Sequence, residues 1–227
     1  MENKKTVIKL GYLSAIICAA TFIGYIICFI GVISTSEIYM WTNFENYLEY
    51  INENNQLFKH IAQFLMMLFG ISFLILILSI SEISKESKKI FSKISAAFAI
   101  IFTTLVSIHY FIQISSVRLQ LLNNETDGLI QFIQGNPISA SSSINMLGWT
   151  LFLGLSCFFI IPIFKKEKII RIAFLVNGIS CITGGIGFIF QIDIITFLCM
   201  NLIMGVAVIV LSIGLIKYFN KLKKQTK

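Results

Sequence analysis

Long apolar runs separated by short polar connections dominate this chain. Six runs follow one another, at about residues 10–33, 57–80, 90–117, 144–164, 169–190 and 194–219. Each is close to the roughly 20 residues that a helix needs to cross about 30 Å of hydrocarbon. Unsatisfied peptide groups are costly in lipid, so we expect each run to be helical, and the alternating pattern of a membrane β-barrel is missing. The pattern predicts an all-α, polytopic membrane helix bundle with six transmembrane helices, in a single membrane domain over 1–227.

Composition supports lipid as the surrounding medium. Hydrophobic residues make up 56% of the chain and charged residues only 13%, whereas about a quarter of an ordinary soluble domain is charged. The net charge of +7 comes from lysines at the ends of apolar runs, which form no face that follows a phosphate backbone. We therefore expect membrane lipids as partners and no nucleic acid. The first run is too long for a signal peptide and lacks a small-residue cleavage site, so we expect it to stay attached.

The basic residues predict the orientation of the chain. Positive residues near the ends of spans are retained on the cytoplasmic side, and sixteen of the eighteen lysines and arginines occupy the two ends of the chain and the second and fourth connections: Lys4, Lys5, Lys9, Lys85, Lys88, Lys89, Lys93, Lys165, Lys166, Lys168, Arg171, Lys217, Lys221, Lys223, Lys224 and Lys227. Only Lys59 and Arg118 fall on the other side. That side carries seven acids: Glu37, Glu45, Glu49, Glu53, Glu125, Asp127 and Asp193. The count predicts a multi-pass protein with both termini cytoplasmic.

Two long connections lie on the predicted outer side. In the first, apolar and aromatic residues recur at helical spacing while glutamates occupy the other positions. This pattern predicts an amphipathic helix that lies at the interface or caps the bundle, and its acidic face favours the cap. The apolar positions are Met40, Trp41, Phe44, Tyr47, Leu48 and Ile51. The second contains an apolar patch over 129–133, followed by a Gly-Asn-Pro turn at 135–137. A short helix that dips back toward the bundle is the expected structure there.

Small residues within the spans indicate packing and no cofactor. All five cysteines lie in apolar runs, without a CxxC pair or histidines at zinc spacing, so we expect reduced packing residues. The glycine-rich stretch 183–187 resembles a phosphate loop, but no strand precedes it and no lysine follows it. Close approach of two helices explains it better. We predict neither a cofactor nor a metal site.

Polar side chains within spans are the candidate functional residues, since burying them in hydrocarbon is expensive. On the third span His109, Gln113, Ser116 and Gln120 follow at steps of four, three and four, which predicts one polar helical face. Other polar groups also gather toward the outer ends of spans, so we expect an outward-facing polar pocket. The candidates for ligand binding are His109, Gln113, Ser116, His60, Gln63, Asn145, Trp149 and Gln191.

Each candidate also has a structural interpretation. Histidine, glutamine and asparagine bond between helices for about 0.6 kcal/mol on average, and this interpretation is favoured for His109 and Gln113. Both histidines with Asp193 would suit a metal with two histidines and one carboxylate, although nothing in the spacing brings them together. Trp41 and Trp149 fit an aromatic belt at the outer interface better than ligand stacking. Arg118 fits a side chain that reaches lipid headgroups better than one that binds an anion.

Three functional hypotheses remain open. The first is a non-catalytic membrane protein that binds a small amphiphile or a partner protein from the outer side. The second is a membrane-embedded enzyme that acts on a lipid headgroup with His109 as general base. The third is a small-solute transporter or transporter subunit, which the lack of acidic residues inside the spans disfavours. Hydrolase, zinc-protease and Walker motifs are missing from the sequence, so a binding role is favoured over an enzyme.

Three stretches carry a resemblance to a known set of proteins. HYFIQISSVR over 109–118, GNPISASSSINMLGW over 135–149 and the last helix pair split by KKEKIIR resemble small bacterial integral membrane proteins with six spans and a domain of unknown function. The resemblance covers about half the chain. Some members have a histidine after the Asn-Pro dipeptide, where this chain has Ile138. The resemblance implies a bacterial plasma membrane and assigns no activity.

Overall fold

Six of the seven principal helices are long and apolar enough to cross a membrane. In the computed structural model, which describes residues 2–36 and 39–225, these helices have 22–37 residues. At 1.5 Å rise per residue even the shortest spans the hydrocarbon core. The helices are α1 (Glu2–Thr35), α2 (Phe44–Glu53), α3 (Leu57–Ile83), α4 (Glu86–Leu122), α5 (Ala140–Phe164), α6 (Lys168–Ile189) and α7 (Asp193–Gln225).

The predicted all-α class is confirmed, as is the number of helices long and apolar enough to cross a membrane, and the described ranges contain no β-strand. The observed helices extend beyond most predicted spans; the predicted span 90–117, for example, lies within α4. The extensions are polar end turns, which hydropathy alone does not count as membrane-embedded. Glu37 and Lys227, which belong to the charge count, lie outside the described residues.

The spanning helices form a closed ring in chain order. Each packs against its sequence neighbour, and α7 returns to pack against α1. Short connections between antiparallel neighbours produce this arrangement. The basic connections meet at one end, where Lys88 Nζ donates to the carbonyl of Pro162 at 2.6 Å. We call this end, where α1 begins and α7 ends, the lysine end, and the opposite end, which carries the connections 36–56 and 123–139, the loop end.

Aromatic side chains fill the centre of the ring. Trp149 of α5 stacks on Phe69 with ring centroids 5.7 Å apart and meets Phe102 edge-on at 5.1 Å. Only 5% of Trp149 is exposed, so its predicted place in an interfacial aromatic belt is wrong. Hydropathy located it near a span boundary, but α5 begins several residues before the predicted span and carries Trp149 into the core.

The predicted close helix approach at the glycine-rich stretch is confirmed. A Cβ atom added to Gly185 would lie 2.8 Å from Thr150 Cβ on α5, and one added to Gly184 would lie 2.5 Å from Met200 Sδ on α7. Side chains at these positions would separate α6 from both neighbours. The small residues therefore serve packing.

A small second apolar cluster closes the loop end. Asn43 caps α2 by accepting a hydrogen bond of 2.8 Å from the Asn46 backbone N–H, and Tyr47 of α2 is buried with residues from α4 and the second connection: Val117, Leu129 and Ile133. The predicted cap is therefore present. The short helix predicted in the second connection is a single 3₁₀ turn, Leu129–Gln131, which follows Gly128 with φ +73°.

Three of the spanning helices contain a π-helical turn in the half nearer the loop end. These turns are Gln113–Val117 in α4, Gly148–Phe152 in α5 and Leu198–Ile203 in α7. A π turn inserts extra residues into the helix and changes the direction of the side chains after it, and such turns are frequent at functional sites. The sequence periodicity gave no sign of them.

Candidate functional site

Gln113 connects α4 to the second loop-end connection. Its Nε2 donates to the Phe132 carbonyl and, at 3.3 Å, to Ser141 Oγ, while its Oε1 accepts from the Gln134 backbone N–H at 3.1 Å. Only 3% of the residue is exposed. Both ends of this amide are therefore used to hold the connection against the bundle.

His109 lies one helical turn below Gln113 and bonds to α5. Its Nδ1 is 3.0 Å from the Ser141 carbonyl and 2.9 Å from Ser141 Oγ. A proton on Nδ1 suits donation to the carbonyl and leaves Nε2 as an acceptor. Nε2 is buried and has no hydrogen-bond partner within the described chain, although the Gln134 side chain comes into interaction range of the ring.

Gln63 brings α3 into the same network. Its Nε2 donates to Gln134 Oε1 at 2.7 Å, and its own Oε1 has no partner among the described residues. The second loop-end connection is also stabilised by internal hydrogen bonds. Ser139 Oγ donates to the Ile133 carbonyl at 2.9 Å, and Asn136 Nδ2 donates to the Ile130 carbonyl at 3.0 Å. The segment 130–142 is thus a hydrogen-bonded plug in the loop end.

A first cavity of about 360 Å³ lies beside this plug, between α1, α3 and the cap. Its volume falls at the lower end of the range of about 300–1,000 Å³ found for ligand pockets. The wall is apolar and aromatic on the α1 side and carries polar groups near the plug and the cap. The residues that line this cavity include Tyr25, Phe29, Tyr47, Lys59, Ala62 and Gln63.

A second cavity of about 260 Å³ adjoins the first, between α2, α3 and α4. The two share four residues, Tyr47, Gln56, Lys59 and Gln63. The second cavity is the more polar of the two in residue type, with His60, Gln113 and Arg118 in its wall. A molecule with a polar head and an apolar tail would find both environments side by side.

Tyr47 and Lys59 mark the boundary between the cavities. Lys59 Nζ donates to the Tyr47 hydroxyl at 3.4 Å and lies 5.3 Å from the centre of its ring. Burial, assisted by Tyr39 and Tyr50, raises the pKa of Tyr47 well above its ordinary value. The phenol therefore stays neutral and accepts from the ammonium group.

The remaining predicted residues are dispersed. Asn145 is buried near the Tyr110 hydroxyl and Trp149 belongs to the aromatic core, while Gln191 is exposed in the turn before α7 with φ +54°. Ser116 is also exposed, whereas His109 and Gln113, which were predicted to share a polar helical face with it, are buried. The π turn at Gln113–Val117 changes the helical phase between them.

Sequence reasoning did not select Lys59 or Arg118 as binding residues. The charge count could have identified them, because they are the two basic residues on the side of the predicted membrane that otherwise carries acidic residues. Tyr47 was identified as part of the apolar face of the cap helix and not as a residue that lines a cavity. Within the described ranges no group of three histidine, cysteine, aspartate or glutamate side chains is placed to hold a metal.

Comparison with known proteins gives no further guide to this site. No family model matches the chain, and neither a curated protein nor a solved structure matches it significantly.

Proposed function

We propose that this protein binds a small single-chain amphiphile in the first cavity and performs no chemistry on it. The observation that carries the proposal is the cavity itself, with its aromatic and apolar wall on the α1 side and polar groups at the cap and the plug. Pockets for small ligands combine such an apolar lining with a few placed polar groups. Membrane lipids would supply both the surroundings and the ligand.

The orientation is part of this proposal. The lysine end would face the cytoplasm, with both termini inside, because positive residues close to spans are retained there. The contact between Lys88 and the Pro162 carbonyl joins the first turn of α4 to the last turn of α5, next to two of the basic connections, which supports a single basic end. The resemblance over 109–118 and 135–149 supports a bacterial plasma membrane. The cavity would then open from the outer side.

The placement of His109 gives less support to the enzyme hypothesis. A general base must come within hydrogen-bond reach of its substrate, whereas His109 is 1% exposed and is not among the residues that line either of the two cavities. Transport would require a path past the aromatic core around Phe69, Phe102 and Trp149. Binding of a ligand requires neither an accessible general base nor a path past the aromatic core.

Filling the cavity tests the proposal. Ala62 lines it, and Ala62→Leu would place three more carbon atoms in its wall. We expect this variant to bind lysophosphatidic acid at least about tenfold more weakly when titrated in nanodiscs and analysed by native mass spectrometry. Ala97→Leu, at an exposed position of α4, is the matched control and should bind as the wild type does. Wild-type affinity in Ala62→Leu would dismiss the cavity as the binding site.

A further inference from the structure

Lys59 and Arg118, the two basic residues that break the charge pattern of the chain, line the same cavity. They are 59 positions apart and belong to different helices, α3 and α4, yet both contribute to the wall of the second cavity together with His60. Charge patterning gives no reason for a cation at either position, since basic residues are otherwise kept at the opposite end. Their convergence therefore needs a local explanation.

No carboxylate among the described residues explains it. Between residues of the ranges 4–36 and 39–225 the only ion pair joins Lys89 to Glu86 at the lysine end, at 2.7 Å. The glutamates of α2, Glu45, Glu49 and Glu53, are exposed on its outer face. The wall of the second cavity thus holds two cations, amide side chains and no acid. An anion inside it would meet positive charge without a competing negative group.

Reaching toward lipid headgroups suits the exposed Arg118 but does not explain Lys59. Its Nζ is directed at the Tyr47 hydroxyl, 3.4 Å away, and Tyr47 is a buried residue of the cap with 2% exposure. A side chain that reached for headgroups would turn away from the bundle. Lys59 turns into it and keeps two further N–H donors available for a ligand.

We propose that the second cavity binds a phosphate-class anion between Lys59 and Arg118, as the head group of the amphiphile in the first cavity. This inference rests on the proposed function for the position of the tail. The shared residues Lys59 and Gln63 place the two spaces side by side, and a molecule that extends past the contact between Lys59 and Tyr47 occupies both. Arginine presents a planar fork of donors that matches phosphate oxygens, while lysine adds a compact positive charge.

Two probes that differ only in the phosphate test this assignment. We expect wild-type protein in nanodiscs to bind lysophosphatidic acid at least about tenfold more tightly than monoacylglycerol with the same chain. Lys59→Gln and Arg118→Gln should each weaken lysophosphatidic acid binding about tenfold and leave monoacylglycerol binding unchanged. Lys59→Arg and Arg118→Lys, which keep the charges, should recover most of the affinity.

Matched controls come from the lysine end. Lys93→Gln and Arg171→Gln remove exposed cations and should leave the affinity for both probes unchanged. Removing Lys59 or Arg118 makes the charge pattern more uniform, so insertion of the variants is expected to persist. The charge-preserving variants show whether a loss of binding comes from charge or from misfolding.

The outcomes separate this inference from the proposed function. Equal affinity for the two probes, with binding still lost in Ala62→Leu, overturns the anion site and leaves the amphiphile cavity standing. Unchanged binding in Ala62→Leu overturns both. Inorganic phosphate that binds as tightly as lysophosphatidic acid would assign the second cavity to free phosphate and overturn the head-group assignment.

Discussion

Gln63 on α3 donates a hydrogen bond of 2.7 Å to Oε1 of Gln134, which lies 71 positions later in the chain. Both residues line the first cavity. Gln134 belongs to the plug, and its backbone also bonds to Gln113 and Ser142, so this single bond joins the cavity wall on α3 to the segment that closes the loop end. The stability of the plug and the shape of the cavity are therefore coupled.

A double-mutant cycle measures that coupling. Gln63→Leu and Gln134→Leu should each destabilise the protein, and the double variant should lose less than the sum of the two, with a coupling free energy of about 0.5–1.5 kcal/mol. Reversible unfolding in mixed detergent micelles supplies the free energies. Strict additivity of the two substitutions would show that the amides do not interact in the membrane.

His109 is expected to stabilise the bundle through Ser141. His109→Ala removes the contact of about 3.0 Å to the Ser141 carbonyl and leaves a gap beside α5, so the free energy of unfolding should fall by about 1–2 kcal/mol. His60→Ala, at a half-buried ring that faces the second cavity, should change it by less than about 0.5 kcal/mol. A catalytic histidine with no structural role would leave stability intact.

The hydropathy of the sequence was sufficient to predict the six helices and the cap, because lipid leaves the backbone one low-energy structure and α2 follows a helical period. The site was less predictable. Gln113 and Gln63 were identified as polar residues within spans, but their partners Phe132 and Gln134 lie in a connection whose path depends on tertiary contacts. The π turn before Arg118 changes the helical phase and cannot be read from spacing.

Close packing of α6 against α7 can be tested at one glycine. A Cβ atom at Gly187 would lie 2.9 Å from the Thr196 backbone nitrogen, which cannot move as a side chain can. Gly187→Ala should therefore destabilise the protein by about 1–3 kcal/mol. At Gly205 the nearest atom is a Phe22 ring carbon at 3.5 Å, an ordinary contact, so Gly205→Ala is the control. Equal effects in the two variants would contradict the close approach of α6 to Thr196.

The orientation can be checked by labelling cysteines in intact cells. The five native cysteines are buried and free, so they should react little with a membrane-impermeant maleimide. Asn52→Cys and Asn124→Cys, at exposed positions of the loop end, should react in intact cells. Ser87→Cys, exposed at the lysine end, should react only after permeabilisation. The reverse pattern would place the termini outside.

Photo-cross-linking with a diazirine analogue of lysophosphatidic acid is the most direct test of the amphiphile site. With the photoreactive group in the chain, we expect adducts at lining residues of the first cavity such as Tyr25, Phe29 and Met66, and a loss of these adducts in Ala62→Leu. Adducts spread over lipid-facing positions such as Leu202 and Val206 on α7, unchanged in that variant, would contradict binding in the cavity.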